Sequence, residues 1–489
     1  MRAVHAFLIV HAFLIVGLLG GRAFAAEPVP LAPGGTPWRP AEIAALGNAI
    51  DRRLASPALR GAHLAFYAID TTRGTLLYAR APDEAFVPAS TLKLITGSAA
   101  LDRLGPDFRF YTSVLATAIE GDTVRGDLIV RAGGDPLLRA SDLDAAAAAV
   151  AARGIRAISG GIVFDVSAFD DVPYPPGWMI EDIPYDFSAI SSALMLEENT
   201  VTLHVVAGTA VGVPASIGLT PPTNAVTIED DVTTGPAGSA ERLDLARDGS
   251  AIRLFGSIPL GTDETLAAAV PDPLAYAADV FARALAAHGV ALGRPPAGPP
   301  RLVITPPEAT LVWSHPSDSL TALLRWFWFR SDNLVGETLL KAIGLAAHGP
   351  PGTSRDGIAS ETAYLRRAGV DPATLAIVDG SGLSRYDAVT PRAYVQVLQA
   401  AWNGPNRSII LDALPVAGVR GSLRTAYTGV AGRLYAKSGS MTHVWNLAGF
   451  IMTRRHGPVT FAFMCDDFVG SIDALRAVQE DVFEQIVEG

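Results

Sequence analysis

The chain has 489 residues, of which 49% are hydrophobic and 18% charged, and a formal net charge of −11. This composition is typical of a soluble globular protein with room for two or three domains. No basic block occurs, which argues against nucleic-acid binding. The lone cysteine, Cys465, excludes an intrachain disulfide, and nine scattered histidines give no metal-ligand spacing, so we expect no metal or other cofactor.

The first 25 residues have the pattern of a secretory signal peptide. Arg2 precedes an apolar run at 6–19, and Ala23-Phe24-Ala25 provides a small-x-small cleavage site. An uncleaved membrane anchor is the alternative, although its apolar span is marginal in length. The sequence therefore predicts an exported protein, periplasmic or otherwise extracytoplasmic, without a transmembrane segment after cleavage.

After a Pro/Gly-rich leader, the predicted elements lead to one apolar helix. Residues 41–54 have a helical pattern, and two strands follow at 63–70 and from residue 74. An apolar run then predicts a buried helix that begins near Ser90 and stops by Gly105-Pro106. The strand hairpin can hold the start of this helix rigidly.

Ser90 and Lys93 lie three residues apart at the start of that helix, so their side chains share a face. The chain has 38 Lys and Arg residues but only three lysines, at positions 93, 341 and 437. A desolvated lysine can lose its proton and act as a base, whereas arginine cannot. The pattern favours a Ser90 nucleophile with Lys93 as its base. For Ser90 taken alone, a helix cap is the alternative.

The middle of the chain is rich in predicted strands. Short β segments occur at 110–115, 126–131 and 160–164, with a helix at 143–153 among them. A β-rich block follows at 200–258, then a helix at 275–289 and a Pro-rich linker at 294–300.

The last third mixes helices with a sheet. Helical patterns occur at 318–343 and 360–368, and strands are predicted at 432–436, 445–452 and 459–464. We assign Lys341, four residues after Glu337, to a helix-surface ion pair. The final helix has one apolar side, which predicts core packing: Leu475, Val478, Val482, Phe483 and Ile486.

Two further motifs complete an ordered trio with Ser90-x-x-Lys93. Ser331-Asp332-Asn333 follows an aromatic run, and Lys437-Ser438-Gly439-Ser440 lies on a predicted strand. The order S-x-x-K, S-D-N, K-T-G is typical of serine β-lactamases and penicillin-binding proteins. Each triplet alone is weak: Asn333 can be a helix cap and Lys437 a surface cation. Together, and with an export signal, they are a strong indication.

Longer segments resemble the class C low-molecular-mass penicillin-binding proteins, the D-alanyl-D-alanine carboxypeptidase/endopeptidases of peptidase family S13. These segments are 87–104, 126–136, 191–203, the residues up to Lys341, 379–385 and 414–419. The resemblance implies an α/β (α+β) fold with a β-lactamase/transpeptidase-like catalytic domain, an antiparallel sheet flanked by helices. It places this domain at 38–105 and 303–489, with β-rich insertions at 106–199 with 262–302 and at 200–261.

The resemblance also implies roles for the site residues. The catalytic set is Ser90, Lys93, Ser331, Asn333 and Lys437, with the backbone N–H groups of Ser90 and Ser440 as the oxyanion hole. The substrate-binding set is Ser438, Gly439, Ser440, Asp379 and Ser381, of which the last two can equally be turn formers. The implied partners are peptidoglycan peptides that end in D-Ala-D-Ala and β-lactam inhibitors.

Two departures from the family pattern stand out. Ser438 and Ser440 replace the usual threonines but keep the hydroxyl, and Asp387 stands where asparagine is common. Two alternatives remain: a β-lactamase-like hydrolase and a non-catalytic cell-wall binding protein of the same fold. The sequence leaves open the oligomeric state and the balance of carboxypeptidase and endopeptidase activity.

Overall fold

The computed structural model describes residues 27–31, 33–296 and 300–489. The predicted signal peptide and part of the predicted linker lie outside the described residues. Within the described ranges, no helix has the length and apolar character needed to cross a bilayer. In the same ranges, no three or more His, Cys, Asp or Glu side chains are grouped to hold a metal ion.

The helices of the described chain are α1 (Pro40–Leu54), α2 (Lys93–Leu104), α3 (Ala140–Ala152), α4 (Pro273–Ala287), α5 (Leu320–Arg330), α6 (Asn333–His348), α7 (Ser354–Arg367), α8 (Pro391–Asn403), α9 (Arg407–Ala413) and α10 (Ile472–Glu488).

The strands before the Pro-rich segment are β1 (His63–Asp70), β2 (Leu76–Arg80), β3 (Tyr111–Ala116), β4 (Ile119–Glu120), β5 (Thr123–Val124), β6 (Leu128–Ala132), β7 (Ala157–Ile158), β8 (Ile162–Asp165), β9 (Thr200–Val206), β10 (Ser216–Thr220), β11 (Thr227–Gly235), β12 (Arg242–Asp248), β13 (Ala251–Pro259), β14 (Asp263–Ala269) and β15 (Ala291–Leu292). The later strands are β16 (Thr310–Pro316), β17 (Leu434–Met441), β18 (Val444–Met452) and β19 (Pro458–Asp466).

A five-stranded antiparallel sheet, in the order β17-β18-β19-β1-β2, joins the two ends of the described chain. Side chains alternate between the two faces of a strand, and β18 and β19 are buried on both faces. On β1, Phe66 packs into the cluster that contains α1 and α10, whereas Ala65 and Ile69 pack on the side of α8. The five apolar residues predicted for the core side of α10 are buried, and so is the free Cys465.

Four smaller sheets are built mainly from residues 111–292. Their orders are β16-β3-β6-β8, β15-β7-β5-β4, β10-β9-β14 and β11-β13-β12. Strand β16 of the later chain pairs with β3, so one sheet connects the two parts. The predicted domain boundaries stay a prediction.

The predicted helical pattern at 318–343 is wrong in one respect. Helix α5 ends at Arg330, and Ser331 takes a left-handed conformation with φ of +61° before α6 begins at Asn333. A non-glycine residue seldom adopts such a conformation and needs its surroundings to hold it. The break turns the serine out of the helical repeat and toward β17.

Candidate active site

Ser90 lies in the 3₁₀ turn Ala89–Leu92, which leads directly into α2. The turn packs against β17 and β18 of the central sheet. Asn446 on β18 secures the approach to this turn, since its Nδ2 donates to the carbonyls of Val87 at 2.8 Å and Pro88 at 3.0 Å. Ser90 is therefore held between a helix start and the edge of a sheet.

Lys93 is fully buried at the first position of α2. Its Nζ lies 2.8 Å from Ser90 Oγ, 2.6 Å from Asn333 Oδ1 and 2.6 Å from the carbonyl oxygen of Ser381. The last two oxygens can only accept hydrogen bonds. A neutral amine can donate to both of them and turn its lone pair to the Ser90 hydroxyl, whereas an ammonium donates to all three.

Burial lowers the pKa of Lys93 to about 8, and the nearby carboxyl groups of Asp379, Asp332, Glu337 and Asp387 limit the fall. An ammonium in an apolar interior is poorly solvated, which favours the neutral amine. A base is most useful when its pKa is near the working pH. The burial expected from the apolar helix thus produces a lysine that can take up a proton near neutrality.

The side chains of Ser331 and Lys437 are in direct contact. Lys437 Nζ donates to Ser331 Oγ at 2.9 Å and to the carbonyl oxygen of Ser438 at 2.7 Å. Lys437 is fully buried on β17, and both burial and the charge of Lys93 hold its pKa well below the usual range. The edge-strand surface cation, which was the alternative for Lys437, is wrong.

Asn333 connects Lys93 to the middle of the chain. Its Oδ1 accepts from Lys93, while its Nδ2 donates to the carbonyl oxygen of Phe187 at 2.8 Å. The N-cap of α6 is Asp332, whose carboxylate accepts from the N–H of Val335 at 3.1 Å. The helix-cap alternative for Asn333 is therefore wrong, and its amide is free to hold Lys93.

Strand β17 passes very close to the Ser90 turn at Gly439. A Cβ placed on Gly439 would lie 2.6 Å from the carbonyl oxygen of Pro88, 2.8 Å from the N of Thr91 and 3.0 Å from the N of Ser90. Only glycine permits this approach. Ser440, next along the strand, is exposed to solvent.

The sequence matches the D-Ala-D-Ala carboxypeptidase 3 (S13) family over residues 46–486. The chain belongs to this family. A D-alanyl-D-alanine carboxypeptidase from Actinomadura sp. (strain R39) is 34% identical over 493 residues, which cover 96% of this chain and 90% of the relative. The D-alanyl-D-alanine carboxypeptidase DacB of Haemophilus influenzae is 27% identical and covers 82% of this chain and 85% of the relative.

The fold agrees with this assignment. The crystal structure of penicillin binding protein 4 from Haemophilus influenzae superposes with a TM-score of 0.80 at 24% identity, and covers 90% of this chain and 99% of that one. The resemblance noted from the motifs and the mixed α/β fold expected from it are both confirmed. The enzyme class is serine-type D-alanyl-D-alanine carboxypeptidase.

Asp379 and Ser381 of this S13 enzyme lie in a buried turn beside Lys93. Ser381 contributes its backbone carbonyl to Lys93 rather than its hydroxyl. Asp379 organises the turn by accepting hydrogen bonds from the backbone N–H groups of Ser381, Gly382 and Ser384. Of the two interpretations left open for these residues, turn formation is what these hydrogen bonds describe, and a role in lining the substrate site stays a prediction.

Three residues beside the site were not among the sequence predictions: Phe187, Trp178 and Asn446. Trp178 donates its indole N–H to Asp379 Oδ2 at 3.0 Å. Phe187 and Trp178 come from the middle of the chain, well over a hundred positions before the groups they contact. No local periodicity encodes such a contact, so the sequence offered no signal for them.

The helix-surface ion pair assigned to Glu337 and Lys341 is wrong. Lys341 is buried and pairs with Asp170 at 2.8 Å, while its Nζ also donates to the carbonyls of Val172 at 3.0 Å and Ser191 at 3.3 Å. Glu337 is buried as well and accepts from the N–H of Gly380. Both side chains fasten α6 to other segments, because that face of α6 is covered and not exposed to solvent.

Proposed function

We propose that this enzyme removes the terminal D-alanine from peptidoglycan stem peptides through an acyl-enzyme on Ser90, and that β-lactams inactivate it by acylating the same serine. The observation that carries the proposal is the contact of the buried Lys93 amine with Ser90 Oγ at 2.8 Å. A base held at hydrogen-bond distance from a hydroxyl at the start of a helix is the arrangement that nucleophilic catalysis requires.

In acylation, neutral Lys93 takes the proton of Ser90 Oγ while that oxygen attacks the carbonyl carbon of the penultimate D-alanine. The negative oxygen of the tetrahedral intermediate is stabilised by the backbone N–H groups of Ser90 and Ser440. In other hydrolases, one such donor lowers the activation barrier by about 3–4 kcal/mol. The closeness of β17 to the Ser90 turn at Gly439 supports this pairing.

The C–N bond then breaks, and the leaving amine of D-alanine needs a proton. Ser331 is in position to pass one, because Lys437 donates to its hydroxyl at 2.9 Å. Lys437 also supplies the positive charge that the carboxylate of the terminal D-alanine requires. The proton that Lys93 took from Ser90 passes through this relay to the leaving amine, so Lys93 is neutral again in the acyl-enzyme. Water then attacks the acyl carbon, Lys93 takes its proton and returns it to Ser90 Oγ as the bond from the acyl carbon to that oxygen breaks, and the shortened peptide is released.

Serines at 438 and 440 keep the hydroxyl that the family's threonines offer to the substrate carboxylate. Ser440 is exposed, whereas Ser438 is half-buried and its carbonyl accepts from Lys437. We therefore assign the hydroxyl contact with the substrate to Ser440. Gly439 allows β17 to approach the Ser90 turn closely. Asp379 and Ser381 hold Lys93 in place.

The names of relatives support inhibition by β-lactams. One similar protein is named penicillin-sensitive carboxypeptidase A, from Dictyostelium discoideum, and the Haemophilus penicillin binding protein 4 is also known in complex with a β-lactam. Because the proposed substrate is peptidoglycan, we also propose that the enzyme acts outside the cytoplasm, as the N-terminal signal pattern predicts. The partners we propose are peptides that end in D-Ala-D-Ala.

The β-lactamase alternative is not favoured. The only glutamates between Asn333 and Lys437 are Glu337 and Glu361, and both are buried. Glu337 bonds to Gly380, and burial raises the pKa of both carboxyl groups to about 8, so they are largely protonated near neutral pH. A protonated acid is a poor general base for rapid hydrolysis of the acyl-enzyme.

Two measurements test the proposal. Purified enzyme is incubated with a peptide that ends in D-Ala-D-Ala, and released D-alanine is measured against the Ser90→Ala variant. The same proteins are mixed with a fluorescent penicillin, which should leave a long-lived adduct on the wild type alone. Absence of D-alanine release above the variant's background would favour a binding protein, and rapid penicillin turnover would favour a β-lactamase.

A further inference from the structure

Two aspartates lie in contact beneath Lys93, and the mechanism above uses neither as a reacting group. Asp379 and Asp387 are both fully buried, at opposite ends of one loop. Their carboxyl groups are within hydrogen-bond contact of each other. Two carboxylates in contact in a dry site repel strongly, so such a pair holds one proton between them.

The hydrogen-bond donors around the pair indicate where this proton resides. Asp379 is the charged partner, because both of its oxygens receive N–H donors: Ser381 N at 3.2 Å, Gly382 N at 2.6 Å, Ser384 N at 2.7 Å and Trp178 Nε1 at 3.0 Å. Asp387 accepts from Val378 N at 2.8 Å through Oδ1 alone. Its buried Oδ2 receives no donor from the described residues.

A carboxylate oxygen that is buried without a donor is strongly unfavourable, whereas a carboxylic acid O–H in the same place can donate. The acceptor within reach is Asp379. We propose that Asp387 is a positioning residue for Lys93: it remains a neutral acid, donates its proton to Asp379, and so fixes the turn whose Ser381 carbonyl holds the Lys93 amine.

The charges around Asp387 agree with a neutral acid. Asp379 in its own loop and Glu337 on α6 are acidic, Lys93 on α2 is the nearby base, and Tyr394 on α8 is buried and uncharged. Burial and the charge of Asp379 raise the pKa of Asp387 to about 10. The acid therefore keeps its proton through the range in which Lys93 titrates.

Asparagine has the same shape as the neutral acid and can make the same two contacts. Its Oδ1 can accept from Val378 N, and its Nδ2 can donate to Asp379. This accounts for aspartate at a position where the family commonly has asparagine. In this chain the donated hydrogen is a titratable proton, which gives the position a pH dependence that asparagine lacks.

The inference rests on Lys93 being the base of the proposed function, so the experiment includes a readout that needs no catalysis. Infrared spectra of the full chain are recorded at pH 7 for the wild type, Asp387→Asn and a surface control, Asp473→Asn. The wild type should have a band from a protonated carboxylic acid that Asp387→Asn lacks and the control retains. If Asp387→Asn leaves the protonated-acid bands unchanged, the proposal is overturned, whatever the enzyme does.

Acylation by fluorescent penicillin tests the positioning role. Asp387→Ala should acylate at least tenfold more slowly than the wild type, and Asp387→Asn should restore most of that rate. As pH rises through about 10, the wild-type rate should fall while that of Asp387→Asn does not. If Asp387→Ala does not fold, the pH comparison of wild type and Asp387→Asn decides. An alkaline decline of the same size in both proteins overturns the proposal.

The pH dependence of stability provides an independent test of the proposal. The folded protein keeps a proton on Asp387 that the unfolded chain releases near the ordinary aspartate pKa of 3.8, so this group's contribution to stability falls as pH rises from about 4 to about 10. Asp387→Asn removes that loss. Its melting temperature should therefore gain on the wild type as pH rises from 5 to 9, and a constant difference overturns the inference.

Discussion

Replacement of Gly439 by alanine tests the closeness of β17 to the nucleophile. The added Cβ would lie 2.6 Å from the carbonyl oxygen of Pro88, 2.8 Å from the N of Thr91 and 3.0 Å from the N of Ser90. These are backbone atoms, which no rotamer change can move away. The strand or the Ser90 turn must shift, and with it the two N–H groups that we assign to the oxyanion hole.

The expected change in the acylation rate follows from these distances. Carbon contacts are optimal near 3.5–4.0 Å, so the gap between strand and turn must open by about 1 Å. Overpacking of this kind costs about 1–3 kcal/mol, and 1.4 kcal/mol corresponds to tenfold in rate. A misplacement of about 1 Å can by itself cost about 100-fold. We expect Gly439→Ala to acylate about 10- to 100-fold more slowly.

The assay is stopped-flow acylation by fluorescent penicillin together with D-alanine release. A matched control is Gly218→Ala on β10, where the nearest atom to an added Cβ is 3.9 Å away. That variant should acylate like the wild type. Thermal unfolding verifies that Gly439→Ala is folded. An acylation rate within twofold of wild type in folded Gly439→Ala would refute the geometry inferred for the oxyanion hole.

Three further predictions follow from the buried lysines. Because the neutral amine of Lys93 is the base and its pKa is about 8, the acylation rate should rise from pH 6 to pH 8, and a flat profile would contradict this assignment. Lys341→Met leaves the carboxylate of Asp170 without its partner, so the free energy of unfolding in urea should fall by about 3 kcal/mol; adding Asp170→Asn should recover part of it, and an unchanged midpoint would count against the pair. At pH 9, where Lys93 with its pKa of about 8 is already largely neutral, binding of a D-Ala-D-Ala peptide to Ser90→Ala should take up a proton at Lys437, and an amidated peptide should take up none. Calorimetry in two buffers of different ionisation enthalpy measures this uptake, and zero uptake with the free carboxylate would contradict it.

Much of the fold could be predicted because apolar alternation and helical periodicity are local signals. The predicted strand at 63–70 coincides with β1, and the apolar side of α10 is buried as expected. Helix α8 was not predicted, although Thr390-Pro391 is a helix-start signal and the Thr390 side chain caps the helix. The break at Ser331 has no such signal, because a serine in the left-handed region is stabilised by its tertiary surroundings.

The site residues likewise divide into those that the sequence motifs indicate and those that only the tertiary structure brings together. The three motifs contain the hydroxyl and amine groups that the structure brings together, so Ser90, Lys93 and Lys437 could be proposed as site residues from residue type and order. The groups that hold these side chains are mostly backbone carbonyls, such as those of Ser381 and Phe187, and any residue type offers a carbonyl. Lys341 was assigned to the surface because the i,i+4 spacing gives no information about which face of α6 is covered.

The two lysines of the pocket differ in charge because their surroundings differ. Burial lowers the pKa of both lysines, but carboxyl groups, Asp379 foremost, offset part of the fall for Lys93, whereas the charge of Lys93 lowers the pKa of Lys437 further. A substrate carboxylate supplies the anion that Lys437 needs to hold a proton. The new ammonium then disfavours a second positive charge nearby and drives Lys93 toward the neutral amine beside Ser90. Peptide binding would thus prepare the base at the moment when a carbonyl lies within reach of the nucleophile, and a ligand without that carboxylate would leave Lys93 more protonated.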